Sequence, residues 1–227
     1  MNQSPSKLAV PLAPLVPRLE LDADGQKLLA GVADAATAID KLLAADRAQD
    51  AVRLIAHALP KREAVWWACM CARSVPDAAL PPEDRVAIDA AEGWVRKPDE
   101  AARRACQASA DKTKFASPEA WAAMGAFWSG GSMSPEGQPV VPPAETLTGT
   151  AVTGAVILAS VRHEPPKQKD RLPRFIASAR DIAVGGAGRL QPEDPPPAPA
   201  AAPPPPPPPV PPKPPAPPPP APPVRLQ

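Results

Sequence analysis

The chain has 227 residues, a formal charge of +1, 39 prolines, three cysteines and no tyrosine. Charge this near balance excludes the basic surplus of a nucleic-acid binder and the acidic surplus of a cation buffer. An odd cysteine count behind a start that does not read as a secretory leader excludes a disulfide framework and points to reduced thiols in a cytoplasmic protein.

The first 17 residues hold one lysine and an apolar stretch that Pro11, Pro14 and Pro17 interrupt at every third position. Residues 1–33 therefore predict an irregular arm, not a signal peptide. Asp22-Ala23-Asp24-Gly25 opens like a calcium loop but lacks the later ligands and the closing glutamate, so it predicts an ordinary turn. Beyond it strand formers are scarce, alanine is abundant, and apolar residues recur at spacings of three and four, which predicts an all-α body. Helices are expected at 34–45, 47–58, 60–75, 82–96, 98–111, 118–129, 145–162 and 170–184. Their starts are marked by first-turn prolines and acids: Pro60 with Glu63, Pro82 with Glu83 and Asp84, Pro98 with Asp99 and Glu100, and Ser117-Pro118-Glu119. Proline has no N–H to leave unpaired there, and an acid meets the positive end of the helix dipole. Short connections among the first six predict antiparallel neighbours, stacked as hairpins in one compact domain of seven to eight helices over residues 34–188. No fixed period marks a repeat array. The stretch Leu147 to Val161 is apolar but too short to span a bilayer, so no membrane insertion is expected. Gly149 and Gly154 would cost that helix about 1 kcal/mol each, which close packing on a neighbour offsets. The Gly130–Pro143 segment is a long crossing loop, and Gly185-Gly186-Ala187-Gly188 ends the last helix.

Residues 189–227 are almost entirely proline and alanine. A proline run can build neither helix nor sheet, so Pro203 to Pro209 predicts an extended polyproline II segment in a disordered tail that joins no core. Two stretches match the PxxPx-basic spacing of ligands for aromatic grooves: Pro208, Pro211, Lys213, and Pro220, Pro223, Arg225. A groove-binding partner and a spacer without a dedicated partner both fit that composition.

The stretch Arg62 to Arg73 is apolar on nearly every face after Glu63 and predicts a central helix. Trp66 and Trp67 point about 100° apart, whereas Trp121 and Trp128, seven apart, share a face. Tryptophans at helical spacing predict core, with an exposed aromatic groove as the alternative. Cys69 and Cys71 diverge by about 200° on their helix, and Cys106, His57 and His163 lie far off in sequence, so buried inert thiols are expected and no metal or cofactor site. Ser129-Gly130-Gly131-Ser132 lacks the lysine and the strand of a phosphate loop. No serine sits in a nucleophile elbow. No catalytic residue is predicted.

The motifs Arg62-Glu63-Ala64-Val65-Trp66-Trp67-Ala68-Cys69, Cys71-Ala72-Arg73, Ala91-Glu92-Gly93-Trp94-Val95, Trp121-Ala122-Ala123 and Ala126-Phe127-Trp128-Ser129-Gly130-Gly131 span most of the body. In them the chain resembles a family of bacterial all-helical proteins of unknown function, over about residues 35 to 185. The resemblance implies a loose association with type VI secretion loci, and no functional residue. The expectation is a non-enzymatic scaffold or adaptor with a proline-rich tether and an unidentified protein partner. Its candidate binding surface is Trp121, Trp128, Gly130 and Gly131 with the following loop. The rivals are a ligand pocket or enzyme site using Arg62, Glu63 and His57, and a purely structural block in an envelope assembly.

Overall fold

The computed structural model describes residues 6–194. The tail candidates Pro208, Pro211, Lys213, Pro220, Pro223 and Arg225 lie outside the described residues. Among the described residues the chain forms nine α-helices and two short 3-10 turns and no strand. The helices are α1 (Ala23–Leu29), α2 (Ala35–Ala44), α3 (Ala48–Ala58), α4 (Lys61–Ser74), α5 (Pro82–Arg96), α6 (Glu100–Ala110), α7 (Pro118–Phe127), α8 (Leu147–Val161) and α9 (Gln168–Ala183).

Local chemistry explains their starts. Pro82 and Pro118 occupy the first turn of α5 and α7, and the Ser117 hydroxyl accepts from the Ala120 N–H. Asp34 caps α2 through the Thr37 N–H. Pro98-Asp99 departs from expectation: Asp99 is the cap of α6, its carboxylate accepting from the Ala102 N–H at 2.8 Å, so the helix begins at Glu100. An extended backbone at Asp99 is what lets so short a side chain reach back over the first turn.

The arm is not irregular throughout. Asp22 caps α1 by accepting from the Gly25 N–H, so the expected turn is a helix start. Upstream, Leu8, Leu12, Leu15 and Leu19 are buried between the prolines. The prolines bar a long helix, yet the leucines keep a three-to-four spacing and present one apolar edge to the body. Backbone bonds hold it there: the Lys7 N–H donates to the Ala183 carbonyl and the Leu12 N–H to that of Ala33, both at 2.9 Å.

The packing is not a linear stack of hairpins, in which each helix would touch only its neighbours. α8 packs on α3, α4, α7 and α9 together, and α4 on α5, α7, α8 and α9. Small residues make this possible. A Cβ built on Gly149 would lie 2.2 Å from Nδ1 of His57 on α3, and one on Gly125 of α7 would meet Val152 at 3.4 Å and Val65 at 3.5 Å.

A charged network closes the end of the body where α8 turns into α9. Half-buried Arg162 pairs with buried Glu119 and donates to the Val75 carbonyl at 2.8 Å. Buried Arg171 donates to the Arg162 carbonyl at 2.7 Å and binds Glu193 at 2.8 Å, with Arg174 on the other carboxylate oxygen at 3.1 Å. The Glu193 N–H donates to the Ser74 carbonyl at 2.8 Å. The packed body thus runs from the arm to Glu193, beyond the expected limits of 34–188. A buried guanidinium left without a carboxylate would be costly, and Glu193 is the one that reaches it.

Candidate functional site

α7 is apolar on almost every side. It buries Ala120, Ala122, Ala123, Met124, Gly125, Ala126 and Phe127, and leaves Trp121 half-exposed, with half-exposed Trp128 at its C-cap. The seven-residue spacing brings the two indoles side by side, with ring centroids 6.4 Å apart and planes inclined at 56°. Phe115, in the linker before α7, extends the row: its ring stands 6.1 Å from Trp121 at 64°. Phe115 has a φ of 54° and is 37% exposed. A bulky side chain in left-handed backbone is held there by its surroundings, and here the Trp121 indole N–H takes the Phe115 carbonyl at 3.0 Å.

The indole donors differ across the molecule. Those of Trp66, Trp67 and Trp121 give to the carbonyls of Ala187, Phe175 and Phe115. Those of Trp94 and Trp128 have no acceptor among the described residues, and of these two only the Trp128 ring is half-exposed. Both readings of the tryptophans therefore hold in part: Trp67 and Trp94 are core, and Trp121 and Trp128 form a surface.

The loop after Trp128 is braced from α6. Buried Arg103 lies 4.6 Å over the Phe127 ring, pairs with Glu100, and donates to the carbonyls of Phe127 at 2.6 Å and Ser132 at 2.8 Å. Gly131 has a φ of +66° and passes so near that a Cβ would sit 2.8 Å from the guanidinium. Gly131 thus answers a packing demand, whereas Gly130 faces open space. The loop closes through the Met133 N–H to the Val141 carbonyl at 2.8 Å, and it displays Val140 and Val141.

The rival residues are only partly brought together. Arg62 and Glu63 line a surface cleft of about 450 Å³ with Lys7, Trp66 and Arg96. Within it Lys7 pairs with Glu63, and Arg62 donates to the Val95 carbonyl at 2.6 Å. His57 is not there. It packs under Gly149 of α8, where burial, then the charges of Arg18 and Arg53, push it down to about 4 against the pull of Glu20. A second cleft holds Asp84, Ser117 and His163, but the Ser117 hydroxyl already donates to Asp84 and caps α7. Burial raises the Cys69 and Cys71 thiols far above the ordinary range and Cys106 to about 12, so all three stay protonated near neutrality. Among the described residues no group of three His, Cys, Asp or Glu side chains could hold a metal ion, and no helix is long and apolar enough to cross a membrane.

Sequence reasoning missed Phe115 and Arg103. A lone phenylalanine in the polar linker Lys112-Thr113-Lys114-Phe115 was the available signal for the first. Nothing local distinguishes Arg103 from its neighbour Arg104.

Fold and surface together define an all-α domain with a row of aromatic rings on its outer face. The model of DUF6931, a family of unknown function, matches residues 38–183, and the chain belongs to that family. The match leaves out the arm and also Glu193, although Arg171 and Arg174, which bind Glu193, lie inside it. No curated protein and no solved structure matches the chain.

Proposed function

We propose that this protein is a non-enzymatic scaffold or adaptor that binds a protein partner through the outer face of α7 and tethers a second through its proline-rich stretch. The observation that supports this reading is the half-exposed row Phe115–Trp121–Trp128, with an unclaimed indole donor at its end. Aromatic rings that keep one face wet are favoured anchors in interfaces, because they bury large area at little entropic cost. The protein works in the cytoplasm, as an accessory of a bacterial secretion assembly, and co-purification with sheath or baseplate components tests that placement.

Affinity purification of the full chain, of Trp128→Ala and of a chain ending at Asp194 tests the interaction itself. Trp128→Ala is expected to lose one partner while keeping its helical circular dichroism and unfolding midpoint. The truncation must follow Asp194, since a cut at Pro192 would also remove Glu193 from Arg171. A partner lost only with the truncation belongs to the proline-rich stretch. An unchanged partner set in both variants defeats the proposal.

The cleft at Arg62 and Glu63 supports a second reading, a small-ligand site, because three cations and an indole converge on it. The Arg62 contact to the last turn of α5 gives one of those cations a structural task.

A further inference from the structure

We propose that the groove between α4 and α9 is a peptide-binding site that this chain keeps closed with its own residues 187–193, and that it accepts in exchange a partner's extended segment carrying glycine, leucine and glutamate at the same spacing. This site is separate from the outer face of α7 and does not rest on it.

After Ala183 the chain turns at Val184-Gly185-Gly186 and runs back along α9 as a non-helical strap. Its contacts give its direction. The Gly188 N–H donates to Asp181 Oδ2 at 2.7 Å, and the Gly188 carbonyl accepts from the Ser178 hydroxyl at 2.6 Å. The Gln191 carbonyl then accepts from Arg174 at 2.7 Å, and the Glu193 carboxylate binds Arg171. Positions 181, 178, 174 and 171 share one face of α9, so the strap lies antiparallel to that helix. The other wall is α4. The Trp66 indole N–H donates to the Ala187 carbonyl at 2.9 Å, and eight residues on the Ser74 carbonyl accepts from the Glu193 N–H at 2.8 Å.

The walls hold mostly backbone, as receptors for extended peptides do, and few side chains of the strap are read. Gly188 is buried and Leu190 half-buried against the core, while Ala187, Arg189 and Gln191 face water. That alternation is the one an extended segment shows on a surface. Gly188 has a φ of +63°, and a Cβ there would lie 2.5 Å from Ile182, so the position takes only glycine. Glu193 supplies the carboxylate that buried Arg171 requires. The groove therefore specifies a glycine, an apolar side chain two residues on and a carboxylate three beyond that.

Two observations separate the strap from the body it covers. The family match ends at Ala183, so it takes in Trp66, Arg171, Arg174, Ser178 and Asp181 and none of the residues they hold in the strap. The clamp is also open to solvent: half-buried Glu193 lines a surface cleft of about 450 Å³ with Lys167 and Arg174, where an incoming carboxylate reaches the cations before the strap has left. A segment joined by so short a turn is held at high effective concentration, so the natural chain resists a free competitor.

The test uses the full chain, labelled with ¹⁵N, and a synthetic peptide with the sequence of residues 186–194. Glu193→Ala removes the chain's own carboxylate, so this variant is expected to bind the peptide at least tenfold more tightly than the natural chain, read from the Trp66 indole resonance. The Trp128 resonance should stay still. A peptide with its glutamate replaced by alanine should bind the variant about tenfold less tightly than the parent peptide. Amide exchange of the natural chain decides even if the variant folds poorly. The Gly188 and Glu193 N–H groups should exchange faster than those in the middle of α4 and α9, because the strap opens while the body stays folded. Equal binding to both chains, equal binding of both peptides, or no shift at Trp66 in either chain at millimolar peptide overturns the proposal. Strap amides that exchange only as slowly as the slowest of α4 and α9 overturn it as well.

Discussion

The seam where α4 meets α9 and the outer face of α7 both carry tryptophan, and they use it differently. Trp67 is fully buried, and its indole N–H is satisfied by the Phe175 carbonyl at 2.8 Å, across to α9. Trp128 keeps part of its ring in water and its donor unclaimed among the described residues. A buried donor without a partner costs a full desolvation penalty, and at the seam the Phe175 carbonyl spares Trp67 that cost. The α7 face leaves the Trp128 donor to something outside. The contrast separates residues that hold the body together from residues that leave binding energy available at the surface.

The sharpest test of the contrast is Trp67→Ala. It empties the largest fully buried side chain and removes its hydrogen bond to the Phe175 carbonyl, and it should cost about 3–5 kcal/mol by denaturant unfolding. A cost under about 1 kcal/mol would erase the distinction between the two regions. Gly149→Ala comes next. Its Cβ would fall 2.2 Å from His57 Nδ1, so overpacking should cost about 1–3 kcal/mol. In a double-mutant cycle, His57→Ala should relieve most of that cost, because the clash is with the ring.

Acidification probes the same junction. The folded His57 titrates near 4 against an ordinary 6.5, so the unfolded chain takes up a proton first. Stability is therefore complete above about pH 6.5 and falls as pH drops from there towards 4. With the ring partly exposed the loss is about 2 kcal/mol, and His57→Gln should flatten the unfolding midpoint across that window. Glu193 acts lower: Arg171 holds its carboxyl below 4.5, so its contribution survives until pH falls past that value. The smallest effect is expected at the surface. Trp128→Phe should change stability by less than about 0.5 kcal/mol, measured by the same unfolding curves. A loss as large as that of Trp67→Ala would make Trp128 core and withdraw the surface.

Much of the secondary structure was legible because its signals are local. Pro82, Pro118 and Ser117 mark helix starts within a turn of themselves, and the helix from Pro82 to Arg96 has the limits read from the sequence. The arm was misread because Pro11, Pro14 and Pro17 are strong local breakers, while the value of Leu8, Leu12, Leu15 and Leu19 depends on a distant apolar surface. Nothing in the sequence around Arg162 and Arg171 marks them for burial. Only the meeting of α4, α7, α8 and α9 supplies the carbonyls and carboxylates that make their burial tolerable. Of the candidate site, the shared face of Trp121 and Trp128 followed from their spacing, but Phe115 joined it through a turn that no pattern announced.

The residues alone determined that the chain is helical, where most helices begin, and that two indoles lie on one side of α7, since such features arise within a few peptide units of backbone. Which tryptophans stay wet was decided by assembly. Burial depends on which helix crosses which, and the crossing of α8 over α3, α4 and α7 is set by side chains far apart in the chain, at Gly149, Gly125 and His57.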